Sequence, residues 1–225
     1  PEAANEFKRA FEMGSERGDL GMTLEAHRRL ASIWIHKGHL DQALAELEAE
    51  LPKVKNLEDP GLVARYLNDL GIVYHKLGRG EEALSAYRES LRLKEGLGDR
   101  RAVEITLGNL AEVQMARREH GPAEESLKKA LKMAQEIGDR LGVAVNLHNL
   151  GVLNYERGAF GEAQTQLAEA LTVAEELDWL EGKLLNPIYL ARLKMINGNA
   201  EEGYRDLNDA LKQAQSLNET EAVAT

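Results

Sequence analysis

Apolar and polar positions along this chain repeat on two scales. On the short scale, apolar residues return every three or four positions, as in Leu67, Leu70 and Tyr74, and again in Ala83, Leu84, Tyr87 and Leu91. That spacing predicts amphipathic helices over 62–77 and 81–97, and no strict alternation lasts long enough to predict a strand. On the long scale, the chain meets itself when slid by forty residues. Leu110 falls on Leu30, Leu70, Leu150 and Leu190, and Leu131 falls on Leu51, Leu91, Leu171 and Leu211. Ile137 falls on Leu57, Leu97, Leu177 and Leu217. A fixed period of this length predicts an all-α chain, an α-solenoid of stacked helical hairpins whose core runs on from unit to unit.

The polar punctuation divides the chain in the same way. Asp19, Asp59, Asp99 and Asp139 recur at the forty-residue step, each placed to cap a helix N-terminus. Gly18, Gly98 and Gly138 precede three of them, where a helix can stop in a left-handed conformation, and Asn218 takes the same slot at the far end. Pro60 and Pro122 suit the first position of a helix. Gly38, Gly78, Gly158 and Gly198 mark the turn inside each hairpin, with Arg118 in that slot in the third repeat. The predicted array is a single domain with five full repeats: 19–58, 59–98, 99–138, 139–178 and 179–218. Residues 1–18 read as the second helix of a repeat without its first, and 219–225 as the start of another first helix. A chain that begins and ends within a repeat implies a piece of a longer array.

Two prolines interrupt the pattern. Pro52 stands opposite Arg92, Lys132 and Thr172, and Pro187 stands where the other first helices carry His27, Leu67, Leu107 and Leu147. An interior proline costs ~3 kcal/mol or more, so a kink or restart is expected at Asn186 and Pro187, with Asn186 as a local cap. It is either a local irregularity or a bend that shapes a binding surface.

These residues resemble the tetratricopeptide repeat. The family pattern has a large residue, then Leu-Gly or Leu-Ala three later, an aromatic three further on, and alanine, a bulky residue and alanine in the second helix. The second repeat carries Leu67, Leu70, Gly71, Tyr74, Ala83, Tyr87 and Ser90 at those positions. The fourth carries Leu147, Leu150, Gly151, Ala163, Leu167 and Ala170. Small residues at Ala31, Gly71, Ala111, Gly151 and Ala191 let paired helices approach, and leucine at Gly71 would overpack that contact by ~1–3 kcal/mol. The forty-residue period exceeds the family's usual one and looks like the long repeats of Leu-Gly-Asn-type adaptors and of bacterial regulators. Between these two the residues do not choose.

The resemblance implies a right-handed superhelix whose first helices line a concave groove while second helices face outward. The groove-facing candidates are Arg28, Arg29, His36, Arg65, Asn68, Asp69, His75, Asn109, Glu112, His148, Asn149, Tyr155, Tyr189 and Arg192. Asn109 and Asn149 stand one period apart, and their amides either hold a partner's backbone, as asparagine does in the family, or are ordinary exposed side chains. Arg28, Arg29, Arg65 and Arg192 either capture acidic groups or are solvated charges on a helix face. The two-carboxylate clamp of the family's chaperone-binding members is not matched, because its Lys/Asn spacing is missing.

Composition narrows the chemistry. The net charge of −10 argues against a general nucleic-acid binder, and the absence of cysteine removes disulfides, thiolate metal sites and cysteine nucleophiles. No apolar run is long enough to span a membrane, and no leader pattern opens the chain, which predicts a cytoplasmic protein. His36 and His39 are three apart but lack a third ligand at a motif spacing, so no metal site is predicted. Gly96, Leu97 and Gly98 follow no strand and read as a helix end rather than a nucleotide loop. The acidic pairs Glu81 and Glu82, Glu124 and Glu125, and Glu201 and Glu202 open second helices and complement the helix dipole. No catalytic residue and no cofactor are predicted. The expected function is a non-catalytic scaffold that binds a protein or peptide in its groove. The alternative is a ligand- or peptide-sensing segment of a larger protein, such as a bacterial transcription regulator. Apolar stacking surface at cut array ends would also allow end-to-end self-association.

Overall fold

A computed structural model describes the backbone of residues 19–223 and the side chains of residues 19–213 and 215. The partial helix expected over 1–18, with Gly18, lies outside the described residues. Ten helices and no strand occur among the described residues: α1 Leu20–His36, α2 Leu40–Lys55, α3 Pro60–Lys76, α4 Gly80–Leu97, α5 Arg100–Ala116, α6 His120–Ile137, α7 Arg140–Glu156, α8 Phe160–Glu176, α9 Leu180–Ile196 and α10 Ala200–Val223. No helix among them is long and apolar enough to cross a membrane. The chain divides into two compact units, Pro1–Glu119 and His120–Thr225.

Helix starts follow the aspartates. The Asp19, Asp59, Asp99 and Asp139 carboxylates accept hydrogen bonds from the N–H groups of Met22, Leu62, Ala102 and Gly142 at 2.9, 2.9, 3.0 and 2.9 Å. Pro60 is the first residue of α3, whereas Pro122 lies within the first turn of α6, which begins at His120. Helix stops follow a twenty-residue rhythm. Positive φ occurs at Gly38, Glu58, Gly78, Gly98, Arg118, Gly138, Gly158, Asp178 and Gly198. Glycine adopts this conformation without a Cβ clash, whereas Glu58, Arg118 and Asp178 adopt it under strain. Arg118 (φ 60°) still closes the same turn as Gly78. The N–H groups of Arg118 and Glu119 donate to Met115 and Gln114, both at 2.8 Å, as those of Gly78 and Arg79 donate to His75 and Tyr74.

In the unit through Glu119, each helix from α1 to α5 packs on the next, and the first helices α1, α3 and α5 also touch in succession. Leu24, Leu47, Val54, Leu62, Tyr66, Leu70 and Val73 fill the core between them. Each such side chain contributes on the order of 1.5–3 kcal/mol by leaving water. In the unit from His120, helices α6 to α10 pack in the same order, and α7 also touches α9. Its core holds Leu127, Leu150, Leu153 and Leu167, with Ala130, Ala163, Ala170 and Ala174 at the close approaches. The small column behaves as expected. A Cβ on Gly71 would lie 2.5 Å from the Tyr87 ring, and one on Gly151 would lie 2.6 Å from Leu167 Cγ.

Two expectations are corrected. Helix α9 runs through Pro187 without a restart, and Asn186 is not a cap. Asn186 is fully buried, and its side-chain Nδ2 donates to the Gly182 carbonyl at 2.8 Å. Packing and this bond on the preceding turn outweigh the proline penalty. Helix α2 likewise continues through Pro52. At the far end, α10 runs through Asn218 to Val223, so the backbone makes no stop there.

Candidate functional site

Within the first unit, the faces of α1, α3 and α5 and the end of α4 enclose an open cleft of about 460 Å3. Arg28, Arg65, Asn68, Asp69 and Lys94 carry its polar chemistry, and Leu97, Ala102 and Ile105 form an apolar lip. Leu97 and Ile105 are both exposed. The forty-residue step brings the ions together, because α1, α3 and α5 offer the same face one after another. Arg28 on α1 reaches Asp69 on α3 through Nη1 at 2.7 Å and turns Nε and Nη2 back on Glu25 at 3.1 and 2.9 Å. Arg29 also donates to Glu25, at 2.9 Å. Arg65 approaches Glu25 only to 3.4 Å and is exposed.

Lys94 is buried, and its ammonium donates to Thr106 Oγ1 at 2.6 Å and Asn68 Oδ1 at 3.1 Å. Burial pushes its pKa down to about 8, while Asp69 and Asp99 pull against that shift. Burial also raises Glu25, but hydrogen bonds from Arg28 and Arg29 and the charges of Arg28 and Arg65 win and hold it down to about 2. At Asp69 burial wins and the carboxyl moves up, against the pull of Arg28. The cleft therefore holds one tightly neutralised pair, Arg28 with Asp69, beside a loosely held guanidinium and a poised amine.

Within the second unit, α7 and α9 assemble rings instead of ions. His148 Nδ1 meets Asn186 Oδ1 at 2.8 Å. Its ring stands edge-on to Trp179 at 6.2 Å and to Tyr189 at 6.1 Å. Tyr155 packs against Tyr189 at 5.4 Å and Phe160 at 6.0 Å, and the Arg192 guanidinium lies 5.7 Å from the Tyr189 ring centre. Such pairs favour tilted geometries and fix ring orientation. Four of the residues picked out from the sequence, His148, Tyr155, Tyr189 and Arg192, thus form one patch.

The remaining candidates stand apart from both clusters. His36 is exposed and bonds to the Ser32 carbonyl at 2.7 Å. His75 is half-buried, and burial lowers its pKa. Asn109 is half-buried, Asn149 is buried and Glu112 is exposed. Sequence reasoning missed Lys94, because second helices were expected to face outward. The available signal was its column, which reads Val54, Lys94, Ala134 and Ala174. Trp179 and Asn186 were missed as partners of His148.

Several solved structures share this fold. BtubC (BKLC) from P. vanneervenii is 22% identical, with 96% of this chain aligned over 91% of that one at a TM-score of 0.77. A putative kinesin light chain with nearly identical TPR-like repeats, from Podosopora anserina, is 18% identical over 86% of this chain and 96% of that one, at 0.66. A Rap protein complexed with competence and sporulation factor is 14% identical over 95% of this chain and 64% of that one, at 0.74. At these identities the likeness is one of fold. No curated protein sequence matches the chain significantly. The tetratricopeptide repeat family model matches residues 22–96 and 102–176, well over half of the chain. The column pattern, the paired helices and this match agree: the chain belongs to the tetratricopeptide repeat family and has its all-α solenoid fold.

Proposed function

We propose that the chain is a non-catalytic interaction module that docks a peptide or helical segment of a protein partner on its first-helix faces. The observation that carries this reading is the cleft of the first unit, where the loosely held Arg65 and the Lys94 ammonium stand beside exposed Leu97 and Ile105. A guanidinium and an ammonium beside an apolar lip suit a segment in which an acidic residue neighbours an apolar one. Asn109, Asn149, Tyr155, Tyr189 and Arg192 are further contact residues under this proposal. Membership of a family built for protein–protein contact supports it.

The alternative, a sensing segment of a larger protein, draws on the cleft's volume of about 460 Å3, which falls within the size range of small-molecule sites. The open mouth and charged lining favour a peptide side chain over an enclosed small ligand.

A peptide-display selection on the whole chain tests the reading. Enriched peptides are expected to pair an acidic with an apolar residue and to lose at least tenfold in affinity for Arg65→Glu. Enriched peptides indifferent to Arg65→Glu but lost on Tyr189→Ala would move the site to the second unit. No enrichment at all would overturn peptide docking.

A further inference from the structure

A second cluster in the first unit lies between α1 and α2. His27, Glu46 and Glu50 bring one imidazole nitrogen and two carboxylate oxygens within 4.8 Å of one another. Glu46 and Glu50 stand one turn apart on α2, and His27 faces them from α1 and contacts Glu46. In the next three repeats the positions of His27 and Glu50 are core positions. His27 occupies the column of Leu67, Leu107 and Leu147, and Glu50 that of Ser90, Ala130 and Ala170. Those residues are buried. Glu46 takes the place of Ala86 and Ser126, which are also buried, and of Gln166 and Asp206, which are polar and half-buried. Two neighbouring columns thus change together in this repeat, from the packing residues of the next three repeats to metal-ligating ones, and Glu46 adds a third ligand beside them.

We propose that His27, Glu46 and Glu50 form a divalent-cation site that clips α1 to α2, with zinc as the ion whose ligand chemistry fits best. One imidazole and two carboxylates are borderline-to-hard donors, suited to Zn2+ and, less tightly, Mn2+. Two carboxylates face one imidazole here, and Lys53 pairs with Glu50 at 2.8 Å from the exposed side. The Glu50 side chain is only 13% accessible, so a cation bound there would act on a largely buried carboxylate. Zinc ligands sit roughly 3–3.5 Å apart around a tetrahedral ion, and rotation of the two glutamate side chains would open the direct His27–Glu46 contact to that spacing and set the third oxygen to it. Three protein ligands leave one coordination position for water or a partner's side chain. The Tyr66 hydroxyl is not a ligand, because it donates to the Leu24 carbonyl at 2.6 Å.

The test is calorimetric titration of the whole chain with Zn2+, repeated with Mn2+, alongside thermal unfolding. One saturable Zn2+ per chain and a raised Tm are expected, since a ligand that binds only the folded state stabilises it. His27→Leu and Glu50→Ala install residues that other repeats carry at those positions, so both variants should fold. Each is expected to weaken Zn2+ at least tenfold and to abolish the rise in Tm. His36→Ala with His39→Ala should change neither. No saturable binding, equal affinity in His27→Leu, or loss of the signal in the His36/His39 variant would each overturn the proposal. None of these outcomes depends on peptide docking at the cleft.

Discussion

The two units place different chemistry at the same repeat positions. Asp69 and Asn149 stand eighty residues apart on equivalent first helices, as do Asn68 and His148, and His75 and Tyr155. In the first unit, Asp69 and Asn68 belong to a polar network with Arg28, Glu25 and Lys94. In the second, His148 and Tyr155 belong to a cluster of rings around Tyr189. The leucine and small-residue columns barely change between the two. The repeat therefore specifies backbone and core, and leaves other first-helix columns open to carry charge in one place and aromatic surface in another.

That contrast is tested hardest where an ion has been buried. Asp69→Ala would leave Arg28 with Glu25 as its remaining carboxylate partner and is expected to cost ~3 kcal/mol in urea unfolding. Asn149→Ala, in the same column, should cost ~1 kcal/mol, the worth of a neutral hydrogen bond. Equal losses would erase the distinction between the units. The second unit has its own polar anchor. Asn186→Ala removes the partner of His148 and the bond to the Gly182 carbonyl, and should cost ~2 kcal/mol in thermal unfolding. Charge in the first unit should also show as a dependence on pH. Burial depresses Lys94 to about 8, so the unfolded chain holds that proton more tightly. The resulting penalty is fully present below about pH 8 and is relieved as pH rises towards 10.5, so stability should increase across that window. Lys94→Val, which copies Val54, should flatten the rise. The smallest effect concerns neither cluster. Arg118→Gly should stabilise by ~1 kcal/mol, because glycine meets the left-handed backbone there without strain.

The fold was legible because its signals are local and repeated. The aspartate caps, the hairpin glycines and the leucine columns each recur at a fixed step, and each acts within a few residues of itself. Where the signal was a single residue judged by propensity, the expectation failed. Pro187 predicted a kink or restart, and the restart does not occur: the buried Asn186 amide and the surrounding packing carry α9 through it. Of the candidate site, the first-helix faces were implied by the family resemblance, and the forty-residue step places Arg28 beside Asn68 and Asp69 on successive first helices. Lys94 was hidden because second helices were expected to face outward, and only the apolar residues elsewhere in its column expose it as an inward-pointing amine. The pairing of His148 with Asn186 joins residues 38 positions apart. No local pattern announces it.

The left-handed positions, spaced twenty residues apart from Gly38 to Gly198, act as a reading frame. One extra residue inside α5 would turn every later side chain on that helix by about 100°, carrying Leu110 and Ala111 off the seam they fill. An extra residue at a turn would be absorbed there, and a whole forty-residue hairpin could be gained or lost with its caps, seam and stop intact. Tolerance to length change in this chain is therefore quantised, and the phase of each helix is inherited from the turn before it.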